Sequence, residues 1–265
     1  MAYLNRDGVQ YYFEVQGTGS PLLLLPGFAT DALSWGTVGE QLAREYQVIA
    51  VDHRGAGRTR SQGSFRLEDL AQDALALLDH LGHRSAHVIG HSMGGLVAML
   101  MALEAPERVD HLVLAGAYPK LSARNLHLFR DWGDIRASGI NPARYYRTLL
   151  AWVFAPALFE EPGMIEATTQ AALDYPFIPT PEQFRAQVEA LAACDVRGRL
   201  ATLRHPTLVL SGGEDILVPP STGDALAVAL GGVRHLVIPG AGHAIHLDAP
   251  DVFLEAVRAF LEGGA

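Results

Sequence analysis

The sequence predicts a doubly wound α/β protein, a mostly parallel sheet covered by helices on both faces and interrupted by an inserted helical cap. Three observations predict it. Short, continuous apolar runs alternate with stretches of helical spacing through residues 1–117, as expected of βαβ units whose strands are buried on both faces. The alternation stops near Ala117, and residues 118–200 read as helical and irregular, with many aromatics. The strand–helix rhythm resumes over residues 201–265. The expected organisation is therefore a core in two parts, 1–117 and 201–265, separated by a cap at 118–200.

Each element has its own signal. Tyr3-Leu4 and residues 9–15 flank Asn5-Arg6-Asp7-Gly8, a turn sequence, so the chain is expected to open with a β-hairpin. Residues 21–25 are all apolar, or proline, and end in Pro26-Gly27-Phe28-Ala29-Thr30; an amphipathic helix is expected over 33–44. Residues 47–51 form the next buried strand, leading into Asp52-His53-Arg54-Gly55-Ala56-Gly57-Arg58. Leu67, Leu70, Ala71, Ala74, Leu75 and Leu78 carry the helical spacing of 67–81. A strand at 87–89, a helix at 96–105 and a strand at 109–115 complete the first part. Inside the cap, helices are expected over 123–131, 142–154, 164–173 and 181–193. The last part reads strand 207–210, helix 222–230, strand 234–238 and helix 252–261.

The bulk numbers narrow the function. A chain of 265 residues, 49% hydrophobic, is long enough for one large core with an inserted lobe. A formal charge of −9 argues against nucleic acid, whose phosphates require a basic face. Lys120 is the single lysine, which argues against Schiff-base chemistry. Cys194 is the single cysteine, so neither an internal disulfide nor a thiolate metal cluster can form, and no H-E-x-x-H spacing occurs. Residues 1–7 lack a basic stretch followed by a long apolar core, and no apolar run approaches a membrane span. The expectation is a cytoplasmic globule that acts on a small molecule without metal or organic cofactor and without a membrane.

The chain is organised around His87-Val88-Ile89-Gly90-His91-Ser92-Met93-Gly94-Gly95. Gly90 and Gly94 bracket Ser92 in a G-x-S-x-G pattern, between a strand and a helix. A serine on so sharp a turn is strained, and a Cβ two residues to either side would collide across it. The helix N-terminus that follows offers the N–H of Met93, with partial positive charge, to an oxyanion beside Ser92. Serine needs a base, and the base needs an orienting acid. His243, in Gly240-Ala241-Gly242-His243, follows the last strand on the carboxyl edge of the sheet, where open parallel sheets bind ligands. His246 is its rival three residues on, and His91 reads as a packed polar residue pointing away from the serine hydroxyl. Asp215 follows the strand ending at Leu210 and is the better acid; its neighbour Glu214 would point the other way. Asp52 also ends a strand, but reads as a structural partner of arginine or loop amides.

On these residues the chain resembles α/β-hydrolase-fold serine hydrolases with a helical lid, over essentially its whole length. The order Ser92, Asp215, His243 is that family's order. Pro26-Gly27-Phe28 is similar to the family's His-Gly segment, and the resemblance implies that the N–H of Phe28 is a second oxyanion donor beside Met93. The segment beginning at Asp52 resembles the family's D-x-R-G-x-G-x-S stretch, with Arg58 where the serine usually stands. Ser92 excludes the aspartate-nucleophile dehalogenases and epoxide hydrolases. The carbon–carbon bond hydrolases usually show G-N-S-M-G-G and a tryptophan after the histidine, whereas this chain has His91 and Ala244 at those places.

The resemblance implies a two-step acyl transfer on a small to medium carboxylic ester or lactone. The alternatives are a carbon–carbon hydrolase of a diketone-like acid, with Arg130, Arg144 or Arg147 on its carboxylate; a cofactor-free peroxidase or perhydrolase; and a ligand-sensing protein that is not an enzyme. Trp132, Tyr145, Trp152 and Phe154 are expected to line an apolar pocket above Ser92.

Overall fold

The computed structural model describes residues 2–263. Met1, Gly264 and Ala265, the outermost residues of the two expected core parts, lie outside the described residues. The opening hairpin joins β1 (Ala2–Arg6) to β2 (Val9–Gln16) with Arg6 opposite Val9. Asp7 and Gly8, at φ 51° and 75°, form the two-residue turn whose twist suits a hairpin.

After β3 (Pro21–Leu25) the sequence leads one to expect a single helix over 33–44. Instead a 3-10 turn, Ala32–Trp35, is capped by the Asp31 carboxylate, and α1 (Gly36–Leu42) begins separately. Gly36, at φ 40°, takes a left-handed conformation that breaks the run. Then come β4 (Gln47–Val51), α2 (Leu67–His80), β5 (Ala86–His91), α3 (Met93–Glu104) and β6 (Val109–Ala115). Between β6 and the next strand lie α4 (Ala123–Ala137), α5 (Pro142–Val153), α6 (Ala157–Glu160), α7 (Met164–Asp174) and α8 (Pro181–Ala193). Helix α4 runs past residue 131 because Trp132 keeps the buried stripe begun by Phe129. The chain closes with β7 (Thr207–Gly212), α9 (Pro220–Ala229), β8 (Arg234–Ile238), α10 (Ile245–Asp248) and α11 (Pro250–Leu261). The four-residue helices α6 and α10 are too short to leave a periodic signal.

Among the described residues the sheet has eight strands, in the order β1-β2-β4-β3-β5-β6-β7-β8. Strand β2 runs antiparallel to both neighbours, and β3 to β8 are all parallel. Successive leucines of β3 serve opposite faces. Leu23 and Leu25 pack with α2 and α3, whereas Leu22 and Leu24 pack with Val38 and Leu42 of α1 and Phe253 and Val257 of α11. All four leucines are fully buried, each contributing roughly 1.5–3 kcal/mol of transfer free energy. Helix α3 is buried over ten of its twelve residues, which explains why it is apolar all round.

The chain leaves β3 towards β4, then crosses back to β5 on the other side of β3. This reversal opens a crevice at the carboxyl ends of β3 and β5, the usual ligand position in such sheets. The loops carrying Phe28 and Ser92 flank it. Helix α8 docks beside the crevice through Gln187, a fully buried amide. Gln187 Oε1 accepts the Ala29 N–H at 2.9 Å, and its Nε2 donates to the Arg54 carbonyl at 2.9 Å. Among the described residues, no helix is long and apolar enough to cross a membrane.

Candidate active site

Ser92 sits at φ 52°, ψ −114°, between the last residue of β5 and the first of α3. A non-glycine residue so placed carries of the order of 1–3 kcal/mol of strain, which the surroundings must hold. They do so through close packing at the two flanking glycines. A Cβ at Gly90 would lie 2.3 Å from the Gly94 carbonyl oxygen, and one at Gly94 would lie 2.1 Å from that of Leu25. The Ser92 N–H donates to the Ala115 carbonyl at 2.8 Å, tying the turn to the end of β6.

His243 follows β8, and its Nε2 lies 2.9 Å from Ser92 Oγ. Its Nδ1 lies 2.8 Å from Asp215 Oδ2. The carboxylate requires Nδ1 to carry the proton, so Nε2 is left to accept from the serine hydroxyl. Asp215 Oδ1 accepts the N–H groups of Leu217 and Val218 at 2.9 and 2.8 Å, which fixes the carboxylate. All three side chains are buried, Ser92 at 4%, Asp215 at 3% and His243 at 6% exposure. The residues expected from the sequence therefore come together as one hydrogen-bonded chain. Glu214, by contrast, is exposed.

Two further histidines support the loop. His91 Nε2 donates to the His243 carbonyl at 2.9 Å, and burial, with His246 and His243 nearby, keeps its pKa well below the usual range. His246 is packed on Trp35 with its Nε2 donating to the Ser34 carbonyl at 3.0 Å, and burial lowers its pKa to about 4. Neither reaches Ser92 Oγ. The remaining support is Asp248, which sequence reading missed. One oxygen, Oδ2, accepts the N–H of Gly242 at 2.7 Å and that of Ala155, just beyond α5, at 3.1 Å. The Ala244 N–H donates to the Val153 carbonyl at 3.0 Å. The His243 loop is thus fastened to the end of α5. Asp52 accepts the N–H groups of Ala32 and Arg58, at 2.9 and 2.7 Å, as a loop scaffold. Burial nonetheless pushes its pKa up to about 6.

Met93 is the first residue of α3, where an N–H has no carbonyl one turn earlier. Phe28 lies in the loop opposite, and both Phe28 and Ser92 line a cavity of about 240 Å³. Its other walls include His243, Phe129 and Trp132 of α4, Tyr146, Leu149 and Val153 of α5, and Phe184 of α8. Phe28 stacks on Phe129 at 4.9 Å and meets Phe184 edge-on at 4.6 Å. Of the four aromatics expected there, only Trp132 lines the cavity. The error is one of helical phase. Tyr146, Leu149 and Val153 share a face at spacings of three and seven, and Tyr145 and Trp152 precede that face by one residue each. Tyr145 packs on Tyr146, Trp152 stands edge-on to Trp132, and Phe154 has already left the helix. The same periodicity, applied to 142–153, could have found the lining face. None of Arg130, Arg144 and Arg147 lines the cavity, and Arg130 is paired with Glu189 at 2.8 Å.

A second serine–histidine–aspartate chain lies elsewhere. His235 Nε2 is 2.9 Å from Ser211 Oγ, and its Nδ1 is 2.7 Å from Asp224 Oδ1. Ser211 is inside β7 and 1% exposed, and a Cβ on Gly223 of α9 would come within 2.3 Å of its hydroxyl. Reach by a substrate and a helix N-terminus beside the serine are what separate Ser92 from this copy.

The comparisons agree with the fold. A family model described as the alpha/beta hydrolase fold matches residues 20–250. A protein of Azorhizobium caulinodans that bears the name carbamate hydrolase RutD is 33% identical over 98% of each chain. The pimeloyl-[acyl-carrier protein] methyl ester esterase of Pectobacterium carotovorum is 31% identical, over 95% of this chain and 98% of its own. Among solved structures, a thermophilic esterase from Thermogutta terrifontis, malate bound, superposes with a TM-score of 0.85 at 30% identity, covering 98% of this chain and 96% of that one.

Proposed function

The chain belongs to the α/β-hydrolase fold family, and we propose that it is a serine hydrolase of small to medium carboxylic esters or lactones with an apolar acyl portion. The observation that carries this reading is the Ser92–His243–Asp215 chain opening onto an uncharged, aromatic cavity. Esterase relatives of full length support the ester class.

In this mechanism His243 Nε2 takes the Ser92 proton as Oγ attacks the substrate carbonyl. The oxyanion is held by the N–H groups of Phe28 and Met93, with the positive end of α3 behind the second. His243, now protonated and oriented by Asp215, gives its proton to the leaving alkoxide. Water, deprotonated by the same Nε2, then attacks the acyl-enzyme and frees Ser92. Helices α4 to α8 act as a cap whose aromatic walls exclude water and set the substrate class. No cationic side chain stands among the cavity walls to meet a carboxylate near the scissile bond, which supports an ester or lactone over a diketone-like acid.

The test is a substrate panel: p-nitrophenyl acetate, benzoate and octanoate, beside a γ-lactone and a carbon–carbon ring-fission acid. Turnover of the esters or the lactone, abolished in Ser92→Ala, is expected. Turnover confined to the ring-fission acid, or no turnover of any member, would overturn the reading.

A further inference from the structure

Tyr146 has cavities on both sides. One is the space above Ser92; the other, of about 460 Å³, lies between α5, α7 and the ends of α4 and α8. Helices α4 and α5 form a hairpin, so their residues trace a path away from the serine. On α5 the path runs from Val153 through Leu149 to Tyr146 and then Pro142, and on α4 from Trp132 to Arg136. At 1.5 Å per residue, Val153 to Pro142 spans roughly 16 Å. Beyond Tyr146 the walls are mostly apolar, supplied by Ile140, Leu173 and Ile178 with the Tyr145 phenol, and carry one charged group, Arg136.

Arg136 is half-buried and has no carboxylate partner among the described residues. Two neighbouring cap arginines do, Arg130 with Glu189 and Arg185 with Asp134, while Arg144 and Arg147 on α5 are exposed to solvent, which leaves Arg136 as the half-buried one that lines the chamber. Arg136 donates one bond from Nη2 to the Pro179 carbonyl and lies 5.9 Å from the Phe184 ring. Its remaining N–H groups have no acceptor among the described residues, although a guanidinium is built to take a carboxylate by two bonds at once. A partly desolvated cation left unpaired on apolar walls points to an anionic ligand.

Resting on the ester-hydrolase reading above, we propose that the two cavities form one divided acyl site. Tyr146 is the partition, and Arg136 binds a carboxylate at the far end of a medium-length acyl chain whose ester carbonyl sits at Ser92. The substrate class is then the monoester of an aliphatic dicarboxylic acid. The first chamber holds the ester and the first methylenes, and the second holds the remainder of the chain and its charge.

The experiment compares mono-p-nitrophenyl suberate, p-nitrophenyl octanoate and p-nitrophenyl acetate, each as kcat/KM relative to acetate. Arg136→Gln should lower the suberate ratio at least tenfold and leave the octanoate ratio within about twofold, because only the charged terminus is lost. Leu173→Trp, which fills the second chamber, should lower both eight-carbon ratios. Equal effects of Arg136→Gln on suberate and octanoate, or no effect on either, would overturn the proposal, as would a wild-type preference for acetate over both. Binding of monoethyl suberate to Ser92→Ala, followed by Trp fluorescence, separates this from the parent reading. Affinity that falls in Ser92→Ala/Arg136→Gln supports the divided site even if no ester is turned over, and affinity that ignores Arg136 overturns it.

Discussion

Replacing Asp248 tests how His243 is held. Its Oδ2 alone accepts two backbone N–H groups, from Gly242 at 2.7 Å and Ala155 at 3.1 Å. Asp248→Ala leaves both donors without a protein partner. Each such orphan costs about 1–3 kcal/mol when water is excluded, and Asp248 itself is only half-buried, so a loss of about 2–4 kcal/mol is expected. The effect on turnover should be larger than a stability change alone explains, because Gly242 immediately precedes His243. A shift of the imidazole by a fraction of an ångström breaks the alignment of Nε2 with Ser92 Oγ, and kcat should fall at least tenfold while KM changes little. Asp248→Asn keeps an oxygen acceptor at the same place, and should retain kcat within about threefold and stability within about 1 kcal/mol. Urea denaturation and steady-state hydrolysis of p-nitrophenyl acetate measure both quantities. Wild-type behaviour of Asp248→Ala would refute the clasp, and an asparagine variant as damaged as the alanine would show that charge, and not the shared acceptor, matters.

The remaining predictions concern the pocket, the second serine chain and acid stability. Phe184→Ala should raise KM for p-nitrophenyl benzoate more than for acetate, whereas Tyr145→Ala should cost roughly 3–5 kcal/mol of stability with equal effects on both esters; the opposite pattern would mean that the lining face of the cap is misassigned. Ser211→Ala should keep kcat within about twofold, since Ser211 is sealed inside β7, and a large fall in turnover would contradict that. Burial lowers the pKa of His53 to about 3 and that of His246 to about 4. The unfolded chain binds those protons near pH 6.5, so stability is full above that pH and falls as pH drops, by about 1.4 kcal/mol per unit per histidine, until the folded-state pKa is reached. Denaturation midpoints at pH 7.5, 6 and 5 should decline accordingly, with His53→Leu losing one histidine's share of the slope; an unchanged slope in that variant would refute the assignment.

The legible parts of this molecule are those that local sterics dictate. Gly90 and Gly94 had to lack side chains for Ser92 to stand on its turn, and that requirement is visible in five residues. The positions of Asp215 and His243 followed from strand order, because both leave parallel strands on one edge. The pocket was less legible because Tyr145 and Tyr146 are adjacent, and which of them faces Ser92 depends on the rotation of α5, set by its packing on α4 and α7. Asp248 and Gln187 were invisible because their partners, Ala155, Ala29 and Arg54, are distant in the chain and are recognised only through backbone groups. The Ser211–His235–Asp224 chain carries the converse lesson. Distances alone match those at Ser92; what distinguishes the two is that Ser92 lines a cavity at a helix N-terminus, whereas Ser211 lies inside β7.

The central claim is that Ser92, activated by His243, is the nucleophile. Incubation with a p-nitrophenyl alkylphosphonate, followed by peptide mass spectrometry, measures this directly. The expected result is one adduct per chain, on Ser92, formed with release of p-nitrophenol, and lost or slowed at least a hundredfold in His243→Ala. An adduct on Ser211 or any other residue, or labelling of Ser92 that proceeds as fast without His243, would contradict the account.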